Sequence, residues 1–255
     1  MILNILFNNK IALVTGGTRG IGLRCAEKLA ESGAKVAVIG RDKANLDKAV
    51  ESISKYGVAR GYQMDVSQLL SIDTIVQQII KDFGRVDVLV CSAGVNLGKP
   101  RQSETITEAD WDKIYNTNVK GLFFVNKAVA VYSMIPRKGG VIINISSQSS
   151  IISPWVASTY SSSKAAVNQL TRAEAKEWAA YNIRVNAVAP TWTLTELSKS
   201  VLESSSTFTS VELSKIPMKR FASLDDVANA VCFLASDEAS YITGVIMPVD
   251  GGYST

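Results

Sequence analysis

Ile11-Ala12-Leu13-Val14-Thr15 is an apolar run that stops at Gly16-Gly17-Thr18-Arg19-Gly20-Ile21-Gly22. A helical spacing of apolar residues follows at once, with Leu23, Ala26, Leu29 and Ala30. Strand, tight turn and helix are therefore expected in immediate succession. Glycine lets the backbone turn sharply and approach a ligand closely. The free N–H groups and positive dipole end of the new helix suit a pyrophosphate. The spacing is Gly-x-x-x-Gly-x-Gly rather than the commoner Gly-x-Gly-x-x-Gly. An ordinary strand–helix turn is the plain alternative; the position after a buried strand favours dinucleotide binding.

The same unit recurs along the chain. Short strand-like runs at 35–39, 60–66, 86–91, 140–146, 183–188 and 245–249 alternate with amphipathic stretches. The stretches lie at 43–55, 72–83, 110–134, 158–180 and 224–234. Such alternation implies right-handed crossovers and a parallel sheet covered on both faces. The expectation is an α/β fold: one doubly wound parallel sheet of about seven strands, in a single domain spanning residues 1–255. Ligands of such folds sit beyond the carboxyl ends of the strands. That singles out Thr15, Gly40-Arg41, Asp65, Ser92-Ala93-Gly94, Ser146-Ser147 and Pro190. Between Thr191 and Ser214 the periodicity weakens, which reads as a substrate lid or a loosely packed surface excursion.

The chain has no histidine. Ser-His-Asp triads, Cys-His pairs and His-ligated zinc are thereby excluded, and proton transfer falls to Tyr, Lys, Asp, Glu or Cys. Cys25, Cys91 and Cys232 are scattered in apolar contexts, as buried small hydrophobes in a reducing compartment would be. The net charge of +4 is spread without runs of one sign, so no nucleic-acid surface is indicated. The apolar start, Met1 to Phe7, lacks a basic n-region and is too short to span a membrane. A soluble cytoplasmic protein is expected.

Tyr160-Ser161-Ser162-Ser163-Lys164 opens a helix, and the i, i+4 spacing puts the phenol and the ammonium on one face. A free phenol titrates at about 10, and a neighbouring cation lowers that value. The pair can thus do the acid–base work that no imidazole here can do. Ser147 lies thirteen residues before Tyr160, at the end of the preceding strand. It could bind the substrate oxygen that Tyr160 protonates. Ser149 and Ser150 read as a polar turn.

Taken together, Thr15-Gly16-x-x-x-Gly20-x-Gly22, Asp65, Ala93-Gly94, Asn118, Ser147, Tyr160-x-x-x-Lys164, Arg184-Val185-Asn186 with Pro190, and Val249-Asp250-Gly251-Gly252 resemble the short-chain dehydrogenase/reductase family over nearly the whole chain. The resemblance implies a Rossmann-type fold and nicotinamide-dependent interconversion of a secondary alcohol and a ketone. Tyr160 would be general acid and base. Lys164 would lower its pKa and hold the nicotinamide ribose, and Ser147 would orient the carbonyl and stabilise the oxyanion. Asn118 would hold a relay water. Gly16, Thr18, Arg19, Gly20, Ile21, Gly22, Arg41, Asp65, Val66, Ser92, Ala93, Gly94, Tyr160, Lys164, Pro190, Thr191 and Thr193 would contact the cofactor. A homotetramer is also implied. Two departures stand out: Ser92 where the family usually has Asn, and Thr191 where it often has Gly.

Cofactor choice turns on charge at the end of the second strand. Arg41, with Arg19, favours the 2′-phosphate of NADP(H); Asp42 tempers this, and NAD(H) stays open. Asp65 would bond the adenine end or, alternatively, cap the turn ahead of Ser67. Ser147, Gln148, Tyr160 and Trp192, with Asn96, Ser149 and Trp155, could line a substrate pocket of mixed character. Polyols, ketoses or small polar ketones fit it best. A 3-oxoacyl-carrier-protein reductase and a non-catalytic nicotinamide-binding protein are the alternatives.

Overall fold

The computed structural model describes residues 6–98, 101–153, 157–195, 198 and 206–255. One parallel sheet runs in the order β3-β2-β1-β4-β5-β6-β7. Its strands are β1 (Ile11–Thr15), β2 (Lys35–Gly40), β3 (Ala59–Gln63), β4 (Val88–Cys91), β5 (Gly140–Ile145), β6 (Ile183–Pro190) and β7 (Ile246–Val249). The chain reverses direction across the sheet between β1 and β4, the place where such folds leave a crevice.

Side chains of β1 alternate between two cores. Ala12 and Val14 pack with α1 (Gly20–Glu31), α2 (Lys43–Ile53) and α9 (Leu224–Ala235) through Leu29, Leu46 and Val231. Leu13 points to the other face. There it joins α3 (Ile72–Phe83), α5 (Leu122–Val129) and α7 (Ser158–Trp178) through Ile79, Val125 and Val167. Each fully buried Leu, Ile or Val of this kind contributes about 1.5–3 kcal/mol. Local signals set the helix ends. Thr107 and Asp110 form a capping box on α4 (Glu108–Tyr115), as Ser223 and Asp226 do on α9. Gly84 ends α3 at φ 86°.

The stretch expected as one helix over 110–134 keeps its direction but not a uniform winding. α4 passes through wider π-type turns at Asn116–Gly121 into α5, then through Ala130–Met134 into the short α6 (Ile135–Arg137). The described residues just after β6 are tied to the turn before α9. Thr193 bridges Ala222, Leu194 N donates to Ala222 O, and Ala222 N donates to Trp192 O. α8 (Ser206–Lys215) follows. The rest of that segment, and Trp155, lie outside the described residues.

Candidate active site

The carboxyl ends of the central strands open onto one cleft of about 640 Å³. Every residue expected at the cofactor lines it, as do Ser147, Gln148, Asn96 and Trp192.

The glycine turn is shaped by close contact. Gly16 has φ +65°, and a β carbon there would fall 2.7 Å from the Ala93 backbone. One on Gly22 would fall 2.3 Å from the Gly16 carbonyl oxygen. Arg19 occupies the N-cap of α1 without giving a side-chain hydrogen bond, so the first-turn N–H groups face the cleft without a side-chain acceptor. The buried Thr191 Oγ1, also on the cleft wall, has no hydrogen-bond partner. An uncapped helix start beside a glycine-rich turn, with an orphaned hydroxyl further along, fits a dinucleotide.

At the end of β2, Arg41 lines the cleft and its Nη1 stands 3.6 Å from Asp65 Oδ2. Asp42 is turned away: it caps α2 by accepting from Asn45 N at 2.8 Å. Asp65 caps the turn ahead of Ser67, its Oδ1 accepting from Ser67 N and Oγ, and the residue also lines the cleft. Support around Ser92 runs through Thr15: Ser92 N donates to Thr15 O, and Ala93 N to Thr15 Oγ1.

Ser147 stands in extended backbone at the head of a short turn and accepts from Ser149 N at 3.1 Å. Its hydroxyl also acts on the Tyr160 phenol and favours the ionised form. Lys164 is buried, donates from Nζ to the Ile145 carbonyl oxygen at 2.8 Å, and lies 5.9 Å from the Tyr160 ring centroid.

The electrostatics correct one expectation. The Tyr160 phenol is held above its ordinary pKa, not below it. Burial is the larger cause, and the Ser147 hydrogen bond opposes it. The same burial brings the Lys164 ammonium down to about 8. Desolvation disfavours both charged forms and is the larger cause for each.

Asn118 is buried behind the wall, inside the π-type turn. Its Nδ2 donates to Val95 O and Ser163 Oγ, and its Oδ1 accepts from Val95 N. Most of its hydrogen-bonding capacity braces the segment after β4.

Sequence reasoning missed Asn168. Its Oδ1 accepts from Ser146 Oγ at 2.6 Å, and its Nδ2 donates to Ser150 Oγ at 2.7 Å. Ser150 Oγ in turn donates to the Ser147 carbonyl oxygen. Ser150 is thus part of the scaffold under Ser147. The available signal was the continuation of the Tyr160, Lys164 spacing by one further turn to a polar residue on an otherwise buried face. Glu212 was missed too. It is buried and accepts from Trp192 Nε1 at 2.9 Å.

A phenol, a hydroxyl and an ammonium converge beside a dinucleotide-shaped cleft, which defines a nicotinamide-dependent oxidoreductase acting on CH–OH groups. The family model described as enoyl-(acyl carrier protein) reductase matches residues 16–254. The chain is 38% identical over 244 residues to 3-oxoacyl-[acyl-carrier-protein] reductase of Thermotoga maritima, covering 95% of this chain and 97% of that one. It is 40% identical over 251 residues to galactitol 2-dehydrogenase of Rhizobium johnstonii, covering 95% and 94%. The solved structure of NAD+-bound xylitol dehydrogenase superposes with a TM-score of 0.92 at 31% identity, covering 96% and 99%. The chain belongs to the short-chain dehydrogenase/reductase family.

Proposed function

We propose that this enzyme interconverts a polyol, or a similar small polar alcohol, and its ketone, with NADP(H) as the preferred partner. The observation that carries the substrate reading is the two-sided wall of the cleft. Ser147, Gln148 and Asn96 line one side with polar residues, and Trp192 with Phe208 forms an aromatic corner on the other, ring centroids 5.6 Å apart. A chain bearing a hydroxyl on each carbon has polar edges and C–H faces that suit such a wall. The names of the polyol-dehydrogenase relatives support this reading; the 3-oxoacyl reductase relative supports its alternative.

The cofactor supplies the hydride chemistry when bound. Tyr160 gives a proton to the carbonyl oxygen in reduction and takes it back in oxidation. The Ser147 hydroxyl holds that oxygen and stabilises charge developing on it. Lys164, fixed by Ile145, would hold the nicotinamide ribose and favour the phenolate. Asn118 positions the segment after β4, and the relay water expected of it would use its remaining acceptor capacity. Arg41 and Arg19 would bind a 2′-phosphate; Asp42, spent on α2, does not oppose it.

One domain would carry both cofactor and substrate sites. Trp111, Val131 and Tyr132 leave apolar surface exposed along the α4–α6 run, which supports a homotetramer. Light scattering should give about four chain masses; one mass of 27.4 kDa would overturn it. Among the described residues no helix is long and apolar enough to cross a membrane. The three cysteines are buried and free, which supports a cytoplasmic setting.

The deciding experiment is a 340 nm screen with both cofactors against polyols, ketoses and 3-oxoacyl thioesters. Turnover of polyols or ketoses supports the reading. Inactivity on them with good turnover of a thioester reverses it.

A further inference from the structure

α8 inverts the usual composition of a surface helix. Its one buried residue is a glutamate, Glu212. Glutamate is seldom buried unless its carboxylate is fully engaged, and here three partners engage it. Oε2 accepts from the Trp192 indole Nε1–H at 2.9 Å and from the Tyr253 hydroxyl at 3.2 Å. Oε1 accepts from Lys215 Nζ at 2.6 Å. The carboxylate therefore joins three separate pieces of chain: the segment after β6, α8 and the carboxyl-terminal turn.

We infer that Glu212 is a specificity-determining positioning residue, which sets Trp192 as the aromatic wall of the substrate end of the cleft. The inference rests on the polyol reading for its substrate class, and on geometry alone for the contact. Trp192 needs such a fixing. Its ring meets Phe208 edge to face, at an interplanar angle of 88°, an apolar contact with little directional preference of its own. A charge-assisted hydrogen bond to a buried carboxylate adds the missing direction. Trp192, Phe208, Glu212 and Lys215 all line the cleft that also holds Ser147 and Tyr160. A wall fixed in this way selects by shape. A short hydroxylated chain lies flat along the indole, and a longer or branched one must displace it.

The test pairs kinetics with a spectroscopic readout on the full-length enzyme. The chain has four tryptophans, so a 15N-labelled sample gives four indole N–H signals, and Trp192→Phe identifies the one of interest. Glu212→Ala should shift that signal upfield. It should also raise KM for the polyol about tenfold, with kcat changed by less than about threefold, as expected for loss of one charge-assisted hydrogen bond in ground-state positioning. Trp192→Phe should raise KM similarly, and the double variant should add little to either. Glu212→Gln, which keeps an acceptor oxygen, should restore most of the affinity. It also carries the test if the alanine variant folds poorly.

An unmoved Trp192 signal in Glu212→Ala, or an unchanged KM, overturns the inference. So does a fall in kcat alone. If the wild-type enzyme ignores polyols, the polyol reading fails by itself. The indole signal, and KM for whatever alcohol is oxidised, then still decide the role of Glu212.

Discussion

Lys164 Nζ donates to the Ile145 carbonyl oxygen over 2.8 Å, tying the ammonium beside Tyr160 to the strand that leads into Ser147. Tyr160, Lys164 and Ser147 are thus held by one strand end and one helix. Lys164→Met should lower kcat by about 10²-fold or more, the usual worth of positioned proton transfer. Tyr160→Phe should lower it at least as much. A Tyr160→Phe enzyme of wild-type activity would be incompatible with this mechanism.

Burial raises the Tyr160 phenol and lowers Lys164 to about 8. Oxidation needs the phenolate, so its kcat/KM should climb with pH on the alkaline side of neutrality. Reduction needs the phenol and should decline over the same range. Lys164→Met removes the cation and should displace both limbs upward. Profiles of kcat/KM against pH in the two directions measure this, and limbs that stay in place would leave Lys164 without an electrostatic part.

Glu174 on α7 is buried, and burial pushes its carboxyl up to about 8. Oε2 accepts from Asn126 Nδ2 at 2.8 Å, while Oε1 has no partner. The unfolded carboxyl ionises near 4.5 and the folded one near 8, so the folded state holds the extra proton between those values. Stability from this group is therefore whole below about 4.5 and is lost as pH rises towards 8, by about 1.4 kcal/mol per pH unit at most. Glu174→Gln should raise Tm relative to wild type by more at pH 8 than at pH 5. Equal shifts at both would show that Glu174 titrates normally.

Arg41 lines the cleft and Asp42 caps α2, so their substitutions should separate cleanly. Arg41→Ala should cut the NADPH over NADH preference in kcat/KM by about tenfold or more. Asp42→Ala should leave that ratio alone and cost about 1 kcal/mol of stability. A wild-type enzyme that uses NADH much faster than NADPH would refute the assignment of Arg41.

Asn168 holds Ser146 and Ser150 and touches nothing that reacts. Asn168→Ala should lower kcat about tenfold through a displaced Ser147, with cofactor affinity from fluorescence titration unchanged. Loss of cofactor binding would instead show a general collapse of the cleft.

The strand–helix order, the seven-strand sheet and the place of the cleft were legible in the sequence, because periodicity and glycine spacing report backbone geometry locally. The places of Tyr160, Lys164 and Ser147 on the cleft were legible for the same reason, the first two from helical spacing and the third from a strand end. The effect of Tyr160's surroundings was not. Whether a phenol is raised or lowered depends on how much protein covers it, a quantity no spacing encodes.

Partnerships between distant segments were equally hidden. Asp42 and Arg41 are neighbours in the chain, yet one turns to α2 and the other to the cleft. Glu212 meets Trp192 and Tyr253 only because the chain beyond β6 folds back onto the carboxyl terminus. Sequence by itself determined the elements and the groups placed at the rim of the cleft, because backbone preference and side-chain chemistry are local. Tertiary structure decided which charges are buried and which polar groups are spent on each other, because desolvation and hydrogen bonding depend on neighbours far away along the chain.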